Sequence, residues 1–276
     1  MSRATLLSRI YRRLIRPIMA LEKFCYAIGI LKPDGLTLPD FLCIGTEKAG
    51  TTWLYENLRM HPDIYLPVRK ELNFFWRNYW FYCYPLSFYA KYFSRAPINA
   101  IIGEFTPYST MSLSRIRFVG KIMPNVKLIL ILRNPVDRLW SASLMILIRS
   151  QKRIFDEITY SEFLQLMSKK ELLAFGLYPD ILKNWRTVFP EHQIKVLFYD
   201  DLVRDPKNYL MECFDFLGAK PVASFEKFQL TERINKGPDY PMPMELRKHF
   251  YNIYKPSILE LSKEFGDKVR HWLDPD

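Results

Sequence analysis

Lys48 lies within a stretch whose residue types suit a phosphate, Gly45-Thr46-Glu47-Lys48-Ala49-Gly50-Thr51-Thr52-Trp53. Two glycines flank four residues, and two threonine hydroxyls open the helix expected to follow. Such a loop can turn successive backbone N–H groups toward an anion, and a helix N-terminus adds partial positive charge. The nucleotide-binding pattern G-x-x-x-x-G-K-[ST] would put a lysine directly after the second glycine. Here that place is Thr51, and the lysine comes earlier, at Lys48. The residues read as a phosphate cradle whose cation has moved. The competing reading is an ordinary strand–turn–helix that carries a lysine by chance.

A second constellation is Arg133-Asn134-Pro135-Val136-Asp137-Arg138-Leu139-Trp140-Ser141. Asn134 is a good N-cap and Pro135 a good first helical residue. Arg133 then stands at the end of a strand beside a helix start, with Ser141 on the first turns of that helix. A guanidinium and a hydroxyl converging there suit a second, separate phosphate. The alternative is a local ion pair between Arg133 and Asp137.

These loops need elements that bring them together. The apolar runs 40–44, 101–105, 127–132 and 194–199 read as buried strands. Between and after them, helical spacing covers 52–60, 113–123, 136–149, 173–188 and 206–217. Apolar strands alternating with helices predict an α/β fold, P-loop-like and three-layered, with a mostly parallel central sheet flanked by helices. Ligands bind such sheets beyond the carboxyl ends of the strands, so the loops after Ile44, Phe105, Leu132 and Tyr199 are the informative ones. Residues 39–276 form the expected domain, and residues 1–38 a basic amphipathic segment before it. That segment carries Arg3, Arg9, Arg12, Arg13 and Arg16 among Leu and Ile, and Arg16, Glu22 and Lys23 interrupt its apolar stretch. Two readings of it stand side by side: a helix lying on an anionic membrane, and a helix packed on the domain.

The chain has 276 residues, 49% hydrophobic, which is enough for one sizeable core. Its formal net charge of +11 suits an anionic partner. The basic residues are distributed along the chain rather than set in one stripe, which argues against a nucleic-acid module. Cys25, Cys43, Cys83 and Cys213 are scattered without metal-ligand spacing. They fit a reducing compartment, so a cytoplasmic place is expected, or a peripheral one at the inner face of a membrane.

Taken together, the two phosphate constellations resemble those of the sulfotransferases that use 3'-phosphoadenosine 5'-phosphosulfate (PAPS). The resemblance runs from about Phe41 to Trp272 and is nearest to the carbohydrate branch, such as the heparan sulfate N- and 3-O-sulfotransferases and related bacterial enzymes. It implies that Lys48 contacts the phosphosulfate, while Ala49, Gly50, Thr51 and Thr52 hold the 5'-phosphate. Arg133 and Ser141 would hold the 3'-phosphate, with Trp53 near the adenine. Asn235-Lys236-Gly237-Pro238 resembles the family loop that closes over the 3'-phosphate. The carbohydrate branch uses a glutamate just upstream of paired phenylalanines as acceptor base. In Lys70-Glu71-Leu72-Asn73-Phe74-Phe75 that residue is Glu71, whose other reading is a surface ion pair with Lys70 or Arg69. Glu104 is the next candidate. The branch's histidine two places after the glutamate is Asn73 here, and the lysine of its Glu-Lys-Thr-Pro segment is Phe105.

The implied reaction is sulfuryl transfer from PAPS to a hydroxyl or amine of a small-molecule, glycan or glycolipid acceptor, with no metal required in principle. Some of the many rings between Phe74 and Phe93 are expected to line the acceptor cleft, with Tyr89, Tyr92 and Phe93 in the core. A P-loop kinase is the rival enzyme class, but it needs an acidic Mg²⁺ ligand at a strand end where this chain has Arg133. A protein that binds PAPS without catalysis is the other alternative.

Overall fold

A computed structural model describes residues 3–232, 234 and 237–274, with only the backbone described for residues 3–13. A long helix opens the chain, α1 (Arg3–Ala27), followed by β1 (Phe41–Gly45), α2 (Thr51–Leu58) and β2 (Ile64–Tyr65). Two short helices, α3 (Asn78–Cys83) and α4 (Leu86–Ala90), lead into β3 (Ile101–Phe105), α5 (Leu113–Ile122) and β4 (Lys127–Leu132). Next come α6 (Pro135–Leu144), α7 (Tyr160–Met167), α8 (Lys170–Ala174) and α9 (Tyr178–Arg186). The chain ends through β5 (Ile194–Phe198), α10 (Tyr199–Arg204), α11 (Pro206–Leu217), α12 (Met244–Phe265) and α13 (Asp267–Arg270).

All five strands pair in parallel, in the order β2-β3-β1-β4-β5. Strand residues alternate between two cores. Leu42, Ile44, Leu128, Leu130 and Leu132 pack with Trp185, Phe250 and Tyr254 on one face. Phe41, Cys43, Ile129 and Ile131 pack with Leu54, Tyr209 and Phe214 on the other. Burial on both faces is why these strands are apolar without a break. It also pushes the Cys43 thiol up to about 12, as suits a structural cysteine.

The order of the strands creates the site. β1 lies between β3 and β4, so the loops after these three strands open side by side at the carboxyl edge. Thr46 fastens the first loop to β4, its amide and hydroxyl both donating to the Ile131 carbonyl at 3.0 and 2.9 Å.

Two expectations need correction. The helix read over 173–188 is two helices, α8 and α9, broken around Phe175-Gly176-Leu177. Gly176 passes so close to α12 that a Cβ there would lie 2.7 Å from the Tyr254 ring, and packing overrides the helical spacing. The rings between Phe74 and Phe93 do not face the main cavity. Phe74, Phe75, Phe81, Tyr89 and Phe93 are buried in the core, Tyr92 is half-buried against it, and Trp76, Tyr79 and Tyr82 face solvent.

Candidate active site

The carboxyl edge of the sheet holds a cavity of about 740 Å³. Its wall carries Lys48, Gly50, Thr51, Thr52, Trp53, Glu71, Arg133, Ser141, Gly237 and Pro238, so the geometry gathers most of the residues singled out in the sequence. Ala49 is not on the wall; its side chain is fully buried behind the loop. Asn235 and Lys236 lie outside the described residues.

Gly50 caps α2 in the left-handed region (φ 88°), where a side chain would be strained, and a Cβ there would come within 2.8 Å of Leu202. No side chain caps the start of α2. The helix thus turns its N-terminus and the two threonines toward the cavity, an arrangement suited to an anion. Lys48 also has positive φ (66°), an uncommon state for a lysine. Its Nζ lies 3.9 Å from the Met145 sulfur. Burial lowers the Lys48 pKa, and the nearby Arg133, Arg149 and Lys70 add to the fall while Glu47 opposes it. A desolvated ammonium among other cations is a group to which an incoming anion brings relief.

Arg133 does not pair with Asp137, which bonds to Arg247 at 2.9 Å. Its guanidinium donates instead to the Lys48 carbonyl at 2.9 Å and stacks 4.7 Å from the Tyr199 ring. The strand-end arginine therefore braces the loop that follows β1 while still lining the cavity. Asn134 caps α6 as its type predicts, accepting from the Val136 amide at 3.0 Å.

Leu230, Thr231 and Glu232 line the cavity from one side, and Gly237, Pro238 and Asp239 from a later stretch. Just before the first stretch the Trp53 indole donates to the Gln229 carbonyl at 2.9 Å, and the Gln229 amide donates to Asn57 Oδ1 at 2.8 Å. Just after the second the Trp140 indole donates to the Tyr240 carbonyl, and the Tyr240 ring stacks on Phe155. Gly237 and Pro238 line the cavity close to the anchored Tyr240.

Glu71 comes from a loop held against the end of β3. Its amide donates to the Phe105 carbonyl at 2.9 Å, and the Asn73 amide donates to Thr106 Oγ1 at 3.3 Å. Both Glu71 (φ 61°) and Asn73 (φ 58°) are left-handed, a conformation that asparagine tolerates better than most residues. The Asn73 side chain closes the turn by donating to the Glu71 carbonyl at 2.8 Å. The Glu71 carboxylate is half-exposed on the cavity wall, 3.5 Å from Lys70.

Among the further residues of the wall, Lys70 and Glu47 were given no part in the site by the sequence reading. Lys70 Nζ donates to Thr52 Oγ1 at 2.9 Å and approaches Thr51 Oγ1 at 3.4 Å, bridging the phosphate loop and Glu71. The Glu47 carboxyl also lines the wall, and burial raises its pKa.

Glu104 is enclosed. It is 1% exposed and accepts hydrogen bonds from the hydroxyls of Thr106, Tyr89 and Tyr108. It is absent from the cavity wall, so it cannot meet an acceptor without rearrangement. Burial raises its pKa from 4.5 to about 7, although the hydroxyls oppose the shift. Folding therefore takes up a proton between about pH 4.5 and 7, and the stability this proton contributes is lost as pH rises through that window. Glu104→Gln imitates the protonated form. Its unfolding free energy in urea should gain on the wild type from pH 4.5 to 7.5, by at most about 3 kcal/mol. Parallel pH dependences in the two proteins would show that Glu104 stays ionised.

The chain is similar to several known proteins. A model of the sulfotransferase domain matches residues 38–235. Human carbohydrate sulfotransferase 15 is 25% identical over 311 residues, spanning 85% of this chain and 54% of that protein. Mouse heparan sulfate glucosamine 3-O-sulfotransferase 6 is 30% identical over 200 residues, covering 71% of this chain and 57% of that protein. The chain thus spans about half the length of the curated relatives it matches. Among solved structures, a sulfotransferase from Alicyclobacillus acidocaldarius aligns with TM-score 0.67 at 23% identity, covering 86% of this chain and 99% of that one. A mouse sulfotransferase complexed with PAP aligns with TM-score 0.55 at 18% identity, covering 85% of this chain and 87% of that one. These two likenesses are likenesses of fold.

Proposed function

The chain belongs to the sulfotransferase family, and on that premise we propose that it transfers a sulfuryl group from PAPS to a hydroxyl or amine of a carbohydrate or glycolipid acceptor. The observation that carries this reading is the convergence on one cavity of Lys48, the α2 N-terminus and Arg133 with the carboxylate of Glu71. The names of the relatives, carbohydrate and heparan sulfate sulfotransferases, support a sugar acceptor. The mouse neighbour solved with PAP supports the donor.

The residues divide the work. The α2 N-terminus and the hydroxyls of Thr51 and Thr52 receive the 5'-phosphate, Arg133 and Ser141 the 3'-phosphate, and Trp53 borders the adenine. Glu71 takes the acceptor proton as the acceptor oxygen or nitrogen attacks sulfur and the bond from sulfur to the phosphate oxygen breaks. Lys48, assisted by Lys70, meets the charge that grows on that leaving oxygen, and cations already held in place do this without reorganising. The three buried thiols, Cys43, Cys83 and Cys213, suit a reducing compartment, and the same proposal places the protein in the cytoplasm.

Radiolabelled PAPS offered with an extract of the source cells tests the reading. Label should move to a glycan or glycolipid fraction in proportion to enzyme added. Label that stays wholly on the nucleotide, while the chain still binds it, would leave a donor-binding protein without turnover.

A further inference from the structure

The two faces of α1 differ sharply. One face packs on α3 and α5. There Lys23 is buried, donates to the Tyr84 carbonyl at 3.0 Å, and lies 5.7 and 5.6 Å from the rings of Phe74 and Phe81. Glu22 turns the same way and accepts from the Leu86 amide at 3.1 Å. Tyr26 completes the contact.

The other face is apolar and in water. Leu14, Ile18, Leu21, Phe24 and Ile28 are 66, 57, 61, 58 and 50% exposed. Steps of three and four residues place the first four on one stripe of the helix, and Ile28 follows just after the helix's last residue, Ala27. Ile30 and Leu31 continue the exposed apolar surface beyond it. No helix among the described residues is long and apolar enough to cross a membrane.

We infer that this stripe docks in the interfacial layer of an anionic lipid bilayer, with α1 lying in the membrane plane. Charge selects the bilayer over a second copy of the chain. The sequence of the helix carries Arg3, Arg9, Arg12, Arg13 and Arg16 before its first carboxylate, Glu22, and Glu22 is turned inward. The sequence before Glu22 holds no acidic residue, so two copies of the segment would carry charge of one sign with nothing to offset it. Anionic headgroups supply the missing counter-charge, and the acyl boundary takes the apolar side chains. The two sequence readings of the segment are then both satisfied, one by each face. The inference is independent of the sulfuryl-transfer reading, since it concerns a surface apart from the cavity.

Co-sedimentation of the full chain with vesicles tests it. Vesicles of phosphatidylcholine with about 30% phosphatidylserine should carry the protein down, and phosphatidylcholine alone much less. The double variant Ile18→Asp, Phe24→Asp should lower partitioning into the anionic vesicles by more than about tenfold. Its melting temperature should match the wild type, because both side chains already face water. Equal sedimentation of variant and wild type would overturn the inference, as would failure of the wild type to bind anionic vesicles. A wild-type dimer in light scattering that the double variant dissolves, without vesicle binding, would assign the stripe to a second copy.

Discussion

Glu71→Gln should lower turnover by roughly 10²–10⁴-fold, the usual contribution of a positioned base, and leave donor affinity close to wild type. Glutamine keeps the size of the side chain and most of its hydrogen bonding but cannot accept the acceptor's proton. The loop should survive the change, because its shape rests on backbone and Asn73 contacts and not on the carboxylate. Those contacts are the Glu71 amide to the Phe105 carbonyl, the Asn73 amide to Thr106, and the Asn73 side chain to the Glu71 carbonyl. The Lys70 pair is half-exposed and at 3.5 Å contributes little to stability. The check is kcat measured with labelled PAPS on the identified acceptor, beside a nucleotide titration of the same variant. Full activity in the variant would move the base elsewhere. Glu47 on the cavity wall would then be the candidate, since Glu104 is sealed behind three hydroxyls.

How much of this was legible in the sequence depends on how local the cause is. The strands β1 and β4 were readable because burial on both faces makes them nearly unbroken apolar runs, and β3 and β5 because short apolar stretches survive around Glu104 and Lys195. The two-residue β2 is too short to show any period. The break between α8 and α9 could not be read locally, because the pressure on Gly176 comes from Tyr254 in a distant helix. The phosphate loop and the Arg133 segment were readable because each is contiguous and ends a strand. The partner of Asp137 was not, since it is Arg247 and not the neighbouring Arg133. Lys70 looked like a mere companion of Glu71, because its hydroxyl partners, Thr51 and Thr52, belong to the start of α2, 19 and 18 residues earlier in the chain. Asn73 replaces the histidine that the resemblance led one to expect, and the structure gives it a geometric task, a left-handed turn closed by its own side chain.

Lys48→Ala should impair both donor binding and turnover, by contrast with Glu71→Gln. Its ammonium is half-buried, depressed in pKa by desolvation and by neighbouring cations. A charge kept in that state is most useful to the phosphosulfate, in the bound ground state and more so as the leaving oxygen gains charge. Loss of affinity for the 3',5'-bisphosphate by roughly 10-fold or more, and of turnover by about 10²–10³-fold, is expected. Removing a desolvated cation from beside Arg133 and Lys70 should leave the melting temperature of the free protein unchanged or slightly raised. A variant that loses stability as well as activity would instead make Lys48 a structural brace.

The most direct test of the donor assignment is a calorimetric titration of the wild-type chain with adenosine 3',5'-bisphosphate and, separately, with ATP and Mg²⁺. The two proposed phosphate sites, one at the α2 N-terminus and one at Arg133 and Ser141, predict that the 3',5'-bisphosphate binds at least about tenfold more tightly, because ATP has no 3'-phosphate to place against Arg133. Equal or tighter binding of ATP with Mg²⁺ would contradict the assignment and return the chain to the nucleotide-kinase reading.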